Sequence, residues 1–111
     1  MKNDADPEIV KTIRRLAEQI EDVKLTAQAK SDLLAWNVAT AEVCEAICDW
    51  IDSRQPVHVI VTQHAAGHVG KPAYVMKPHL TNMAWYVKVS LVKPDGQDGY
   101  LLIISAHPDH R

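Results

Sequence analysis

The stretch MAWYVKVSLVKPDGQDGYLLIISAHP, near the end of the chain, places the strongest constraint on the fold. Two apolar runs, Met83–Val92 and Tyr100–Ala106, flank the segment KPDGQDG. Proline fixes φ and glycine accepts positive φ, so this segment allows the chain to reverse between two strands. The sequence therefore predicts a β-hairpin.

Alternation along the first run separates a wholly apolar face from a mixed one. The mixed face carries Tyr86 and Lys88, which stand two residues apart, roughly 7 Å along a strand. His107 follows the second run, so we expect an imidazole where that strand ends. Packing for the tyrosine and protection of a sheet edge for the lysine are the structural alternatives.

Upstream of the hairpin, apolar residues recur at spacings of three and four and predict three helices within about residues 8–53. We expect these helices to begin at Pro7, at a Thr26 cap and at a Thr40 cap, with Asn37 ending the second.

Between the helices and the hairpin, β-branched runs predict strands at Val57–Thr62 and Ala73–Lys77, joined by a loop. The expected fold class is α+β: N-terminal helices packed on a four-stranded, mostly antiparallel sheet at about residues 57–107. The length suits a single domain spanning residues 1–111.

Charge is distributed unevenly, and the formal net charge is -2. The first 55 residues carry seven Lys or Arg and eleven Asp or Glu, whereas the remainder carries five and three, together with all six histidines. This asymmetry would allow a polyanion to bind on one side only, although solvated helices often collect acidic residues.

Cys44 and Cys48, four residues apart on a predicted helix, are expected to be buried thiols. We expect a cytoplasmic protein without a membrane span.

His64 and His68 have the i, i+4 spacing of two metal ligands on a helix, but Gly67 and the flanking strand signals disfavour a helix there. We therefore predict no metal site and no cofactor. The sequence also lacks a Walker-type phosphate loop, a GxGxxG motif and a nucleophile elbow.

Tyr86, Lys88 and His107 match the needs of metal-independent RNA cleavage. That reaction requires a base for the 2′-hydroxyl, a cation for the charge on phosphorus and an acid for the leaving oxygen. His107 is suited to proton transfer near neutral pH, Lys88 to charge stabilisation, and Tyr86 to hydrogen bonding or base stacking.

Three stretches also resemble a known family. LTAQAKSDLLAWNVATAEVCEAICDWID resembles the paired helices of the MqsR-type toxins, small RNA-cleaving members of the RelE-like group. WYVKVSLV and LLIISAHPD resemble the strands of that family's hairpin. LTAQA and IISAH resemble a related family of uncharacterised small domains equally well.

The resemblance implies a RelE-like domain with Tyr86 at the family's catalytic tyrosine and Lys88 at the lysine beside it. His107 falls where the family has a catalytic lysine, which is a departure. Gln63, Lys71 and Lys77 are candidates, by residue type only, for the remaining RNA-binding glutamine and lysine.

The resulting expectation is an mRNA endoribonuclease toxin, dependent on the ribosome or independent of it, that is neutralised by an antitoxin protein. The alternative is a non-catalytic module that binds RNA or a protein on the same scaffold, which the slight overall acidity would suit. A homodimer through a strand edge at Ala73–Lys77 or Val57–Thr62 is a further expectation.

Overall fold

The computed structural model describes residues 4–61, 71–96 and 98–109. In this part of the chain, three α-helices and a short 3-10 helix accompany six strands. The elements are α1 (Pro7–Ala17), the 3-10 helix (Ile20–Asp22), β1 (Val23–Leu25), α2 (Ala27–Trp36), α3 (Thr40–Asp52), β2 (His58–Val61), β3 (Pro72–Met76), β4 (His79–Leu80), β5 (Met83–Val92) and β6 (Tyr100–Pro108).

Local capping explains most of the helix boundaries. The carboxylate of Asp6 accepts a hydrogen bond from the backbone N–H of Glu8 at 2.8 Å and begins α1. The predicted Thr26 cap and Asn37 end of α2 are confirmed, with Asn37 at a φ of 54°.

The predicted Thr40 cap is wrong, because Thr40 is already the first residue of α3. Ala39 occupies the cap position, where its backbone N–H donates to the carboxylate of Glu42 at 2.8 Å. A side chain three residues into the helix therefore supplies the capping hydrogen bond at this end.

The strands form one mixed sheet in the order β1-β6-β5-β3-β2, and β4 pairs with β5. The α+β class is confirmed, but the prediction of four strands is wrong. β1 and β4 have three and two residues, too few to produce a recognisable alternation. β1 pairs parallel with β6, whereas the other pairs are antiparallel. A strand thus lies inside the segment predicted to be helical.

The hairpin of β5 and β6 is confirmed, and its second strand continues to Pro108. Lys88 pairs with Ser105, but the next residue, Val89, pairs with Ile103, so β6 contains a one-residue bulge at Ile104. Thr26 contacts this bulge: its backbone N–H donates to the carbonyl of Ile103 at 3.1 Å and its hydroxyl to that of Ile104 at 2.8 Å.

The helices cover one face of the sheet, here called the core face. Trp85, Val87 and Val89 are fully buried there, as predicted from their alternation. They belong to the main hydrophobic cluster with side chains from every α-helix and from β6: Ile13, Leu16, Ala29, Leu33, Val43, Ile47, Leu101, Ile103 and Ala106. Cys44 and Cys48 are buried free thiols, as expected. The opposite side, the outer face, carries the mixed residues of β5.

One predicted strand edge is wrong, because β3 lies between β2 and β5 inside the sheet. Its register places Tyr74 opposite both Val59 and Val89, which leaves no free edge at Ala73–Met76. At that side of the sheet β2 is the last of the strands that the structure describes, and Asp4 forms a bridge to His58 on it. Across the described residues, no helix is long and apolar enough to cross a membrane.

Candidate functional site

Tyr86 and His107 lie directly opposite each other on the outer face. Their rings are stacked, with centroids 5.4 Å apart and planes inclined by 20°. Both side chains are half-buried. His107 was predicted to lie where its strand ends, and it is the last residue but one of β6, directly beside the tyrosine.

The bulge at Ile104 decides this arrangement. Ile103 and Ala106 both belong to the main core cluster although they are three positions apart, a spacing that regular alternation does not allow. The extra residue shifts the alternation by one position, so Ser105 and His107 lie on the outer face. Without it, His107 would share the face of Ile103 and point into the core.

One hydrogen bond defines the tautomer of His107. Its Nδ1 lies 2.9 Å from the carbonyl oxygen of Pro108. Because a carbonyl oxygen only accepts, Nδ1 carries the proton in this hydrogen bond, and Nε2 of the neutral ring holds the lone pair. Nε2 is therefore the basic nitrogen available to a ligand.

Lys88 lies on the same outer face, two residues from Tyr86 and opposite Ser105. Val75 is its partner on the other side, so Lys88 occupies the interior of the sheet surface rather than its edge. It is half-buried, and within the described residues no carboxylate forms an ion pair with it. The edge-protection alternative therefore does not apply to this lysine.

Asp109 lies close to Tyr86 and to Lys77, although the sequence did not single it out. Its carboxylate lies 3.2 Å from the ammonium of Lys77, and its side chain is 15% exposed. Its backbone N–H donates to the carbonyl of Ala84, which extends the β5–β6 pairing by one residue. In the sequence, only its position directly after Pro108 could have indicated Asp109 as a site residue.

Burial and Asp109 together act on Tyr86. Burial raises the pKa of the Tyr86 phenol, and the negative charge of Asp109 raises it further. The phenol is therefore protonated throughout the neutral range and can donate a hydrogen bond. We call Tyr86, Lys88, His107, Lys77 and Asp109 the outer-face cluster.

The other predicted RNA-binding residues are not part of this cluster. Lys71 precedes β3 and lines a cavity with Pro94 and Asp95 of the hairpin turn. Lys77 follows β3 at its other end, roughly 20 Å away along an extended chain. Gln63 lies outside the described residues, as do His64 and His68. Elsewhere in the described ranges no three His, Cys, Asp or Glu side chains are grouped to hold a metal ion.

Comparison with known proteins assigns no family: no family model, no curated protein and no solved structure matches the chain. The resemblance to RelE-like toxins therefore stays a prediction based on short motifs.

Proposed function

We propose that this protein is a metal-independent endoribonuclease that cleaves mRNA at the outer-face cluster. The observation that carries the proposal is the stacked pair of Tyr86 and His107, with the unpaired ammonium-bearing side chain of Lys88 on the same face. A base, a hydrogen-bond donor and a cation lie within one short stretch of sheet surface. These are the groups that the reaction needs.

In the proposed reaction, Nε2 of His107 takes the proton of a 2′-hydroxyl as the 2′-oxygen attacks the adjacent phosphorus. Lys88 stabilises the negative charge that develops on the phosphoryl oxygens. The bond from phosphorus to the 5′-oxygen then breaks, and a proton passes to the leaving oxygen. The products are a 2′,3′-cyclic phosphate and a 5′-hydroxyl.

Tyr86 is the donor for the final proton transfer: its phenol is protonated in the neutral range, and the departing 5′-oxygen is a far stronger base than a phenolate. It also supports His107 by ring stacking, which limits rotation of the imidazole. Lys77, paired with Asp109, would contact a neighbouring phosphate and is the less available of the two lysines.

The test is induced expression in bacterial cells, followed by growth and by the integrity of mRNA, together with cleavage of a labelled single-stranded RNA by purified protein in EDTA. His107→Ala and Tyr86→Phe are expected to slow cleavage by about 100-fold or more. Lys71→Ala is the control for loss of a cation, since Lys71 is an exposed lysine that directly precedes β3 and lies outside the cluster.

Circular dichroism and thermal melting are used to test whether each variant folds. Cleavage at the wild-type rate by both His107→Ala and Tyr86→Phe would refute the assignment. Loss of activity in Lys71→Ala to the same extent would show that general electrostatics, rather than the cluster, carries the activity.

A second candidate is a non-catalytic module that binds RNA through the same face. The specific observation in its favour is the Lys77–Asp109 ion pair, which offsets one of the two cations of the cluster. Retention of RNA on a filter at low salt, with intact RNA recovered afterwards, would favour it over the nuclease.

The resemblance extends the proposal to partners. A protein antitoxin would inhibit the nuclease by covering the outer-face cluster, and the mRNA would be cut on the ribosome or free of it. Co-expression that restores growth, and cleavage assays with and without ribosomes, test these two extensions. Size-exclusion chromatography with light scattering tests the expected homodimer.

A further inference from the structure

A cavity of about 470 Å³ lies between the end of α3 and the connection from β3 to β4. Its volume is in the range of sites that hold small ligands. Apart from two apolar residues, its lining consists of one aromatic side chain, three uncharged or acidic polar ones and two basic ones: Trp50, Asp49, Ser53, Gln55, Lys77 and His79. We call it the α3 cavity.

The aromatic wall of the cavity is fixed in place. The indole N–H of Trp50 donates to the carbonyl of Pro56 at 2.9 Å, and the ring is half-buried. This hydrogen bond holds the ring plane while leaving part of its surface accessible. A held indole is a good stacking surface for a planar heterocycle.

The turn that follows α3 is also rigid. Arg54 has a φ of 62°, its N–H donates to the carbonyl of Ile51, and that of Gln55 donates to the carbonyl of Trp50. These two bonds form a Schellman motif, which closes the helix and places Ser53 and Gln55 at the cavity. The α3 side of the cavity is therefore held by backbone hydrogen bonds.

The lining suggests the class of ligand. Asp49, Ser53 and Gln55 can accept and donate hydrogen bonds to the edge of a base, as in recognition of unpaired RNA bases. Lys77 and His79 supply donors for an anionic group. A planar heterocycle that bears a phosphate satisfies both, with its ring on the indole and its phosphate at the two basic side chains.

We propose that the α3 cavity is a subsite for one unpaired nucleotide of an RNA strand, with its base on Trp50 and its phosphate near Lys77 and His79. Taking RNA as the source of the nucleotide rests on the proposed function. Lys77 provides the connection, because it lines the cavity and its ammonium lies 3.2 Å from Asp109 in the outer-face cluster.

The test is titration of the full chain with AMP, GMP, CMP and UMP, monitored by the indole N–H resonance of Trp50 in nitrogen–proton NMR spectra. Trp50→Phe assigns that resonance among the three tryptophans. We expect a saturable shift with a Kd of roughly 1 mM or below for at least one nucleotide. Ribose 5-phosphate, which lacks a base, is expected to cause no saturable shift.

His79→Ala provides the second arm, since His79 is exposed and its replacement should leave the fold intact. It is expected to weaken binding of the preferred nucleotide by about 3- to 10-fold and to leave binding of the matching nucleoside unchanged. Arg15→Ala, in a different cavity on α1, is the matched control and is expected to change neither.

The outcomes separate this inference from the proposed function. If no nucleotide shifts the Trp50 resonance at about 10 mM while the protein still cleaves RNA, the subsite is refuted and the nuclease stands. If nucleotides bind as described while RNA is never cleaved, the cavity is a nucleotide site and the nuclease is refuted. Equal weakening of nucleotide and nucleoside by His79→Ala would overturn the placement of the phosphate.

Discussion

Replacement of Thr26 by alanine tests whether a single side chain holds together the helix cap and the bulge that positions His107. The Thr26 hydroxyl accepts a hydrogen bond from the backbone N–H of Ala29 at 3.1 Å and donates one to the carbonyl of Ile104 at 2.8 Å. The second bond spans 78 positions of the chain, so it joins the start of α2 to the middle of the hairpin.

The magnitude follows from these two bonds. Loss of the cap costs about 1 kcal/mol, and loss of the donor to a partly buried carbonyl costs about 1–2 kcal/mol. We therefore expect Thr26→Ala to lower the free energy of unfolding by about 2–3 kcal/mol and the melting temperature by roughly 10 °C. Thr26→Ser keeps the hydroxyl and is expected to cost less than about 1 kcal/mol.

Urea denaturation monitored by circular dichroism measures both variants. Thr26→Val is a matched control for shape, because it retains the branched side chain without the hydroxyl, and it should resemble Thr26→Ala. A loss below about 0.5 kcal/mol in Thr26→Ala, or equal losses in the serine and alanine variants, would refute the reasoning.

Three further substitutions test other parts of the fold. Arg54→Gly should raise the free energy of unfolding by about 0.5–1 kcal/mol in urea denaturation, because the φ of 62° strains a residue with a Cβ; no gain over Arg54→Ala would contradict this. Burial raises the pKa of the Cys44 thiol from 9.0 to about 11, so the unfolded chain loses that proton first and stability should fall as the pH rises through this interval. Thermal melts of Cys44→Ala should show a smaller fall, and an unchanged one would exclude the thiol as its cause. Asp52→Asn should lower the melting temperature at neutral pH, because Asp52 accepts two hydrogen bonds of 2.8 Å from Arg14. Since this pair lowers the pKa of Asp52, the difference from wild type should vanish as the pH falls through that lowered value, and a difference that persists would argue against the ion pair.

The sequence predicted the elements that have a strong local signal. The bounds of β5 agreed because its ten residues place a wholly apolar face opposite a mixed one, and the end of α2 agreed because Asn37 tolerates left-handed backbone. β1 escaped prediction because three residues carry no period, and it forms a strand only through its pairing with β6. The predicted Thr40 cap was wrong because the Glu42 carboxylate accepts the capping hydrogen bond from a backbone N–H. Any residue other than proline can donate that bond, so the cap position is free to hold Ala39.

The residues of the candidate site also divide into those that the sequence indicated and one that it did not. Tyr86, Lys88 and His107 were recognisable by residue type, and the side of Tyr86 and Lys88 followed from the alternation of one strand. Asp109 was not recognisable, because its importance comes from a contact with Lys77, 32 positions away along the chain.

The sequence alone determined that the chain forms helices and a hairpin with a tyrosine and a lysine on its mixed face, since these are properties of short-range periodicity. Only the tertiary structure decided where His107 points. The bulge at Ile104 shifts the register by one residue, and in a strand a shift of one residue exchanges the two faces. Thr26, at the start of α2, donates to both carbonyls at that bulge, so a contact across 78 positions of the chain stabilises the register that places the imidazole on the outer face.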